Sequence, residues 1–178
     1  MSIRLGLIDY GMGNLHSVQL AFRRLHKGLK LVTGPSGLSD CDALVLPGVG
    51  AFDPAMESLE MTHLVPGLRT WVNEGRPLLG ICLGLQLLFE SSDEGSCSGL
   101  GLLKGHVHHL PRNQGERIPH MGWSPLKLKN ECPLLGKAEK TSWMYFVHSY
   151  AAIPSEKQDL AATACFGETD FAAMVWKG

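Results

Sequence analysis

Two spacings of apolar residues alternate along the first half of the chain, and only one of them persists into the second. Short apolar runs suit buried strands, and stripes at three- and four-residue intervals suit amphipathic helices. Residues 3–8 are apolar apart from Arg4 and read as a first strand. Tyr10 to Gly13 reads as a turn, and Asn14 suits the N-cap of a helix with an apolar stripe of Leu15, Val18, Phe22 and Leu25. Arg23, Arg24 and Lys27 lie near its C-terminal end, where cations complement the helix dipole. Residues 29–32 and 42–46 continue as strands, the second running into Pro47-Gly48. Helices are expected from about residue 52 to 59 and from 65 to 73. Leu78, Leu79 and Ile81 then form a buried strand, and Leu83, Leu87 and Leu88 recur at helical spacing. This order implies an α/β fold with a largely parallel sheet.

The second half is different. Residues 100–110, 123–128, 144–152, 161–166 and 171–176 all favour strands between Gly and Pro turns, which implies a more antiparallel region. Residues 91–99, rich in Ser, Gly and acidic side chains, read as a surface loop, and residues 112–122 as a second loop that faces a partner. No repeat or linker interrupts the chain, so one domain over residues 1–178 is expected.

Composition narrows the classes. A chain of 178 residues can bury a sizeable core. Its formal net charge of −1 and lack of a basic patch argue against nucleic-acid or anionic-membrane partners. No run is long enough to cross a bilayer, and the N-terminal apolar run meets Asp9 too soon for a signal peptide. The five cysteines, Cys41, Cys82, Cys97, Cys132 and Cys165, are scattered and contain no C-x-x-C pair. That pattern argues for a reducing, cytoplasmic setting over a disulfide framework or a zinc site.

The densest chemistry lies at Gly80-Ile81-Cys82-Leu83-Gly84. This is the Gly-x-nucleophile-x-Gly spacing of a strand-to-helix elbow, with cysteine as the nucleophile. Helix-start N–H groups beside Cys82 would favour the reactive thiolate; the alternative is a buried structural cysteine. In α/β sheets ligands gather beyond the carboxyl ends of strands. Loops 10–14, 47–52 and 80–84 all leave such ends. Pro47-Gly48-Val49-Gly50 can be plain turn chemistry, or it can bring backbone N–H groups to a developing oxyanion. Elbow geometry makes the N–H of Leu83 a further oxyanion donor. Gln86 lies one helical turn after Cys82, on the same face. Tyr10 to Asn14 lacks the third glycine of a dinucleotide fingerprint and reads as a tight turn. His106 and His108 share a strand face, but spacing supplies no third ligand, so they and His109 read as solvated or core histidines. No metal or cofactor is expected.

Gly80 to Gln86 resembles the nucleophile motif of class I (triad-type) glutamine amidotransferases. Together with Ile8-Asp9-Tyr10-Gly11-Met12-Gly13-Asn14, Leu46-Pro47-Gly48-Val49-Gly50-Ala51-Phe52 and Pro119-His120-Met121-Gly122-Trp123, it resembles the branch that serves as glutaminase subunit of imidazole glycerol phosphate synthase in histidine biosynthesis. The resemblance spans nearly the whole chain. It implies a three-layer, flavodoxin-like α/β fold and hydrolysis of L-glutamine through a thioester on Cys82. It also implies a heterodimer with a (β/α)₈-barrel cyclase subunit that receives the ammonia. Carried over residue by residue, Val49 and Leu83 donate to the oxyanion, and Gly50, Gln86, Glu94, Ser149 and Tyr150 hold glutamine. Asn14, His120, Met121 and Trp123 face the cyclase. Hydrolysis in that branch is slow until the cyclase site is occupied, and Gly48-Val49-Gly50 is the flexible element expected to respond.

One departure bears on activity. A cysteine nucleophile of this kind needs a base and a group that orients it. The family supplies both from a late Phe-His-Pro-Glu segment, which these 178 residues do not contain. No base is therefore assigned, and little or no glutaminase turnover is expected of this polypeptide. A chain shortened at its C-terminus and leaving an open sheet edge is the preferred explanation. The alternatives are a catalytically silent binding or regulatory subunit, another class I amidotransferase, or a thiol hydrolase or redox protein on the same fold.

Overall fold

A computed structural model describes residues 3–112, 116–135 and 142–178. The chain divides into two compact units, Met1–Leu103 and Lys104–Gly178.

The first unit holds a parallel sheet of β1 (Leu5–Ile8), β2 (Leu29–Val32), β3 (Ala43–Gly48) and β4 (Leu78–Cys82), in the order β2-β1-β3-β4. Helix α1 (Leu15–Arg24) joins β1 to β2, and α2 (Phe52–Met61) and α3 (Leu64–Asn73) join β3 to β4. Asn14 caps α1 as its residue type suggested, its Oδ1 accepting from the Ser17 N–H at 3.1 Å. The periodicities of α2 and α3 convert directly into burial. Phe52, Ala55, Met56 and Leu59 are buried on one helix, and Leu64, Val65, Leu68 and Trp71 on the other. The indole of Trp71 donates to the Pro77 carbonyl at 3.0 Å, and the Arg76 guanidinium stacks 3.2 Å above its ring. A 3-10 helix over Pro35–Asp40, not foreseen from spacing, links β2 to β3.

Several expectations are corrected here. No residue of α1 is buried, and Leu25 is exposed beyond its end. The stripe of Leu15, Val18 and Phe22 is half-buried, because His16, Ser17, Gln19 and Arg23 leave it too narrow for a full core face. The strand before Cys82 is not fully buried either. β4 is the sheet's edge, with Leu79 exposed and Leu78 and Ile81 half-buried, since an edge strand is covered on one side only. The helix after Cys82 is a single turn, α4 (Leu83–Gln86). It stops because the next carbonyls turn to a returning segment: Leu87 O accepts from Leu100 N, and Leu88 O from Leu102 N, both at 2.8 Å. Residues 91–99 are more ordered than a solvated loop. They begin with a two-residue strand, β5 (Ser91–Ser92), and Ser92 is buried.

The strand pairs described within the second unit are antiparallel. Strand β6 (Gly105–His109) pairs with β10 (Tyr150–Pro154), and β7 (His120–Pro125) with β9 (Trp143–His148). Strand β11 (Leu160–Phe166) pairs with both β12 (Thr169–Val175) and the short β8 (Lys127–Leu128). Leu110, Ala151, Ala164, Phe166 and Phe171 form its core. Of the expected loop at 112–122, residues 113–115 lie outside the described residues, and His120 to Gly122 belong to β7. The single strand expected over 144–152 is two strands, broken at Ser149. All five cysteines are free. Among the described residues no helix is long and apolar enough to cross a membrane.

Helix α4 packs tightly against β3. A Cβ on Gly84 would collide with the Leu46 carbonyl oxygen and stand 2.8 Å from its carbon. Backbone cannot yield as a side-chain tip can, so Gly84→Ala should destabilise the protein by at least ~2 kcal/mol in urea denaturation. Gly28→Ala, where the added methyl meets nothing within 4 Å, should stay within ~0.5 kcal/mol of wild type.

Candidate active site

Cys82 ends β4 at φ 57°, ψ −119°, a conformation that L-residues rarely adopt. This is the strained turn the glycine spacing implied. It lifts the side chain off the sheet, and Cys82 is exposed. The flanking glycines are required sterically. A Cβ on Gly80 would lie 2.7 Å from the Gly84 carbonyl oxygen, and one on Gly48 would lie 2.6 Å from the Gly84 nitrogen. The dipole aimed at the sulfur is that of one helical turn, since α4 is four residues long.

Parallel pairing places Gly48 directly across from Cys82. The Val49–Gly50 segment therefore leaves the sheet beside Cys82. Val49 is exposed, and Gly50 has φ +94°, which favours glycine. Leu83 follows Cys82 as the first residue of α4 and is buried; Gln86 closes the same turn and is half-buried. Cys82, Leu83 and the Gly48–Gly50 loop are thus gathered at the carboxyl ends of β3 and β4, as expected for a ligand site in a parallel sheet.

Three groups that the sequence reading passed over or read differently also meet here. Tyr10, read as part of a turn, is buried, and its hydroxyl donates to the Pro47 carbonyl at 2.9 Å. Burial, and secondarily the charge of Cys82, raise its pKa well above the ordinary phenol value, so it remains a donor. Glu94 Oε2 accepts from the Phe52 N–H at 2.9 Å, capping α2. Asp53 accepts from the Ser96 and Cys97 N–H groups, each at 2.9 Å, and these bonds hold its pKa below the usual carboxylate range. The signals were faint: an aromatic after β1, and an acid in a first helical turn that also reads as a dipole complement.

The remaining candidates belong to the second unit or to α1. Asn14 is exposed, with its side chain serving as the α1 cap. Met121 and Trp123 alternate outward along β7 at 63% and 66% exposure. Neither side chain is part of a core. His120 points inward, stacked on Phe146 with ring centroids 5.6 Å apart. Ser149 is the break between β9 and β10, its carbonyl accepting from Leu110 N at 2.8 Å. Tyr150 meets His109 edge-on at 5.0 Å. His106 and His108 do share a face of β6, with ring centroids 4.5 Å apart.

The inner histidines form a directed chain. His148 Nδ1 lies 2.9 Å from the Tyr150 carbonyl, which only accepts, so Nδ1 carries the proton. The neutral ring then accepts at Nε2 from His120 Nδ1 at 3.2 Å, and Ser124 Oγ donates to His120 Nε2 at 3.4 Å.

The comparisons with known proteins follow this geometry. The family model "Glutamine amidotransferase class-I" matches residues 6–176, and the chain belongs to that family. The chain is 71% identical over 178 residues to imidazole glycerol phosphate synthase subunit HisH 2 of Prochlorococcus marinus (strain MIT 9313), covering 100% of this chain and 84% of that protein. It is 61% identical, with the same coverages, to subunit HisH of Synechococcus sp. (strain CC9605). A glutamine amidotransferase crystal structure superposes with a TM-score of 0.68 over 96% of this chain and 88% of that one, at 18% identity. PurLQS from Thermotoga maritima superposes with a TM-score of 0.65 over 98% and 78%, also at 18% identity. These two likenesses support the α/β fold.

Burial is the largest cause lowering the pKa of both His120 and His148; the nearby Glu116 opposes it at His120, and the Tyr150 bond opposes it at His148. Both are therefore harder to protonate folded than unfolded. Their contribution to stability is complete above the ordinary imidazole pKa of ~6.5 and is lost as pH falls from there toward the depressed folded values. Urea midpoints measured between pH 5 and 8 should fall toward acid, and His148→Gln should flatten that dependence.

Proposed function

We propose that this chain is the glutaminase subunit of imidazole glycerol phosphate synthase, working as a heterodimer with the cyclase subunit in the cytoplasm. The observation that carries the reading is Cys82 at φ 57° on the turn out of β4, with Gly48 of β3 directly opposite. A nucleophile lifted from the sheet beside a glycine-rich loop suits attack on an amide carbonyl. The Cys82 sulfur bonds to the side-chain carbonyl carbon of L-glutamine. The N–H groups of Val49 and Leu83 receive the oxyanion of the tetrahedral intermediate. The C–N bond then breaks, the nitrogen takes up a proton, and ammonia leaves. Water cleaves the C–S bond of the thioester, giving glutamate and the free thiol. Gly50, Gln86 and Glu94 are the first unit's candidates for holding glutamine, Ser149 and Tyr150 are the second unit's, and the ammonia passes to the cyclase. With no Phe-His-Pro-Glu segment to supply a base, these 178 residues alone turn over little or no glutamine.

The partner face is the outward side of the β7–β9 ribbon. Alternation turns His120, Phe146 and His148 inward and leaves Met121, Trp123, Tyr145 and Val147 more than half exposed. Trp123 and Tyr145 meet edge-on with centroids 5.6 Å apart. An apolar, aromatic patch of this kind suits a protein interface, and Met121 and Trp123 are our candidates for it, whereas His120 lies on the ribbon's inner face and Asn14 on the first unit.

Two measurements test the reading. A chloroketone analogue of glutamine should alkylate Cys82, glutamine should protect it, and Cys82→Ala should abolish both labelling and the residual glutamate release. Labelling of Cys82 without protection by glutamine would overturn the substrate assignment. Trp123→Ala should weaken binding to the cyclase by ~2 kcal/mol, about thirtyfold in Kd, by calorimetry.

A further inference from the structure

The loop that leaves β3 beside Cys82 is held at both ends, and two of the side chains involved, Tyr10 and Asp53, neither attack nor bind glutamine in the reading above. At its start, the Tyr10 hydroxyl donates to the Pro47 carbonyl at 2.9 Å, which fixes the Pro47–Gly48 peptide. The phenol packs into the elbow, where a Cβ on Gly48 would lie 3.0 Å from its oxygen. At the loop's far end, Phe52 N–H donates to Glu94 Oε2 at 2.9 Å. Glu94 is held in turn. Asp53, the neighbour of Phe52, accepts from the Ser96 and Cys97 N–H groups at 2.9 Å each, with the Ser96 hydroxyl at 3.3 Å. The two acids thus bind in opposite directions between α2 and residues 94–97. Gly95 lets Asp53 come this close, since a Cβ there would collide with its carboxylate.

We infer that Tyr10 and Asp53 are positioning residues that anchor the two ends of the oxyanion loop and confine its movement to Val49, Gly50 and Ala51. The inference takes its catalytic meaning from the glutaminase reading. The anchorage itself is a property of the fold. Tyr10 acts on the peptide before Gly48, and Asp53 acts through Glu94 on the peptide before Phe52. Neither touches the reacting atoms. An oxyanion donor is useful only when it is already in place as charge develops, so a loop released at one end loses rate more than affinity.

The test compares the full chain with Tyr10→Phe, which removes one hydroxyl, and Asp53→Asn, which keeps the shape and removes the acceptor charge. Inactivation by the chloroketone analogue of glutamine separates its binding constant from its maximum rate, and iodoacetamide reports general thiol reactivity. Both variants should lose about tenfold in the maximum rate, a fraction of the ~10²–10³ that a lost oxyanion donor costs. Binding of the chloroketone and the iodoacetamide rate should stay within about twofold, as a positioning role requires. Asp53→Glu should recover less than half of the loss, since its longer arm does not fit beside Gly95. Amide hydrogen exchange over residues 49–52 should quicken in both variants while β1 exchanges as in wild type. An unchanged maximum rate, or an equal loss with iodoacetamide, overturns the positioning role. Unchanged exchange overturns the anchorage. A wild-type protein that labels without glutamine protection, yet shows the exchange changes, sinks the glutaminase reading and leaves the anchorage standing.

Discussion

The structure of the first unit turns on one close approach, between the end of β3 and the turn that follows β4. Strand and turn come so near that Gly48, Gly80 and Gly84 have no room for a Cβ. The Cys82 backbone adopts φ 57° only because packing on both sides holds it there. Such strain costs of order 1–3 kcal/mol and persists only where the surroundings over-determine it. The same contact sets the site: it exposes the sulfur, starts α4, and puts the Gly48 loop across from Cys82. Remove the fit of Gly84 against Leu46 and each of these is released together.

Around that contact, polar groups are used to hold backbone. The Tyr10 hydroxyl, the Glu94 carboxylate and the Asp53 carboxylate each bind main-chain groups of the loops at the site. A buried phenol kept protonated, and carboxylates satisfied by N–H donors, are low-cost ways to stiffen a loop that has no regular structure. What remains between these anchors is short, contains Gly50 at positive φ, and is half open to solvent at Val49. That is the expected form of an element whose position another molecule could bias.

The second unit solves a different problem. Its strands must present an inner face to a small aromatic core and an outer face elsewhere, and alternation along β7 and β9 does both. His120, Phe146 and His148 close the inside, where two neutral histidines, a serine and a carbonyl satisfy one another. Placing imidazoles among Phe146, Phe166 and Phe171 is tolerable because each ring nitrogen of His120 and His148 has a partner.

Much of this was legible in the residues alone. The helical stripes of α2 and α3, the strand at residues 29–32, the asparagine cap of α1 and the nucleophile spacing of Gly80 to Gly84 are local signals, carried by side-chain period, capping chemistry and the φ freedom of glycine. The motifs of the family were equally local, and the family match covers them. Local signals failed where a distant segment decides the outcome. The helix after Cys82 stops after one turn because residues 100–103 take the carbonyls of Leu87 and Leu88 that follow it, and β4 is an edge because of sheet order. Period along a strand cannot report either fact. Tyr10, Asp53 and Glu94 were ambiguous for the same reason: a tyrosine in a turn and acids near a helix start have many uses, and only their partners, some forty residues away in the chain, select one. Sequence by itself determined which backbone conformations each short stretch could adopt and which residue could act as nucleophile. The tertiary structure alone decided what each polar side chain holds, because a hydrogen bond between remote segments exists only once the sheet has set their distance.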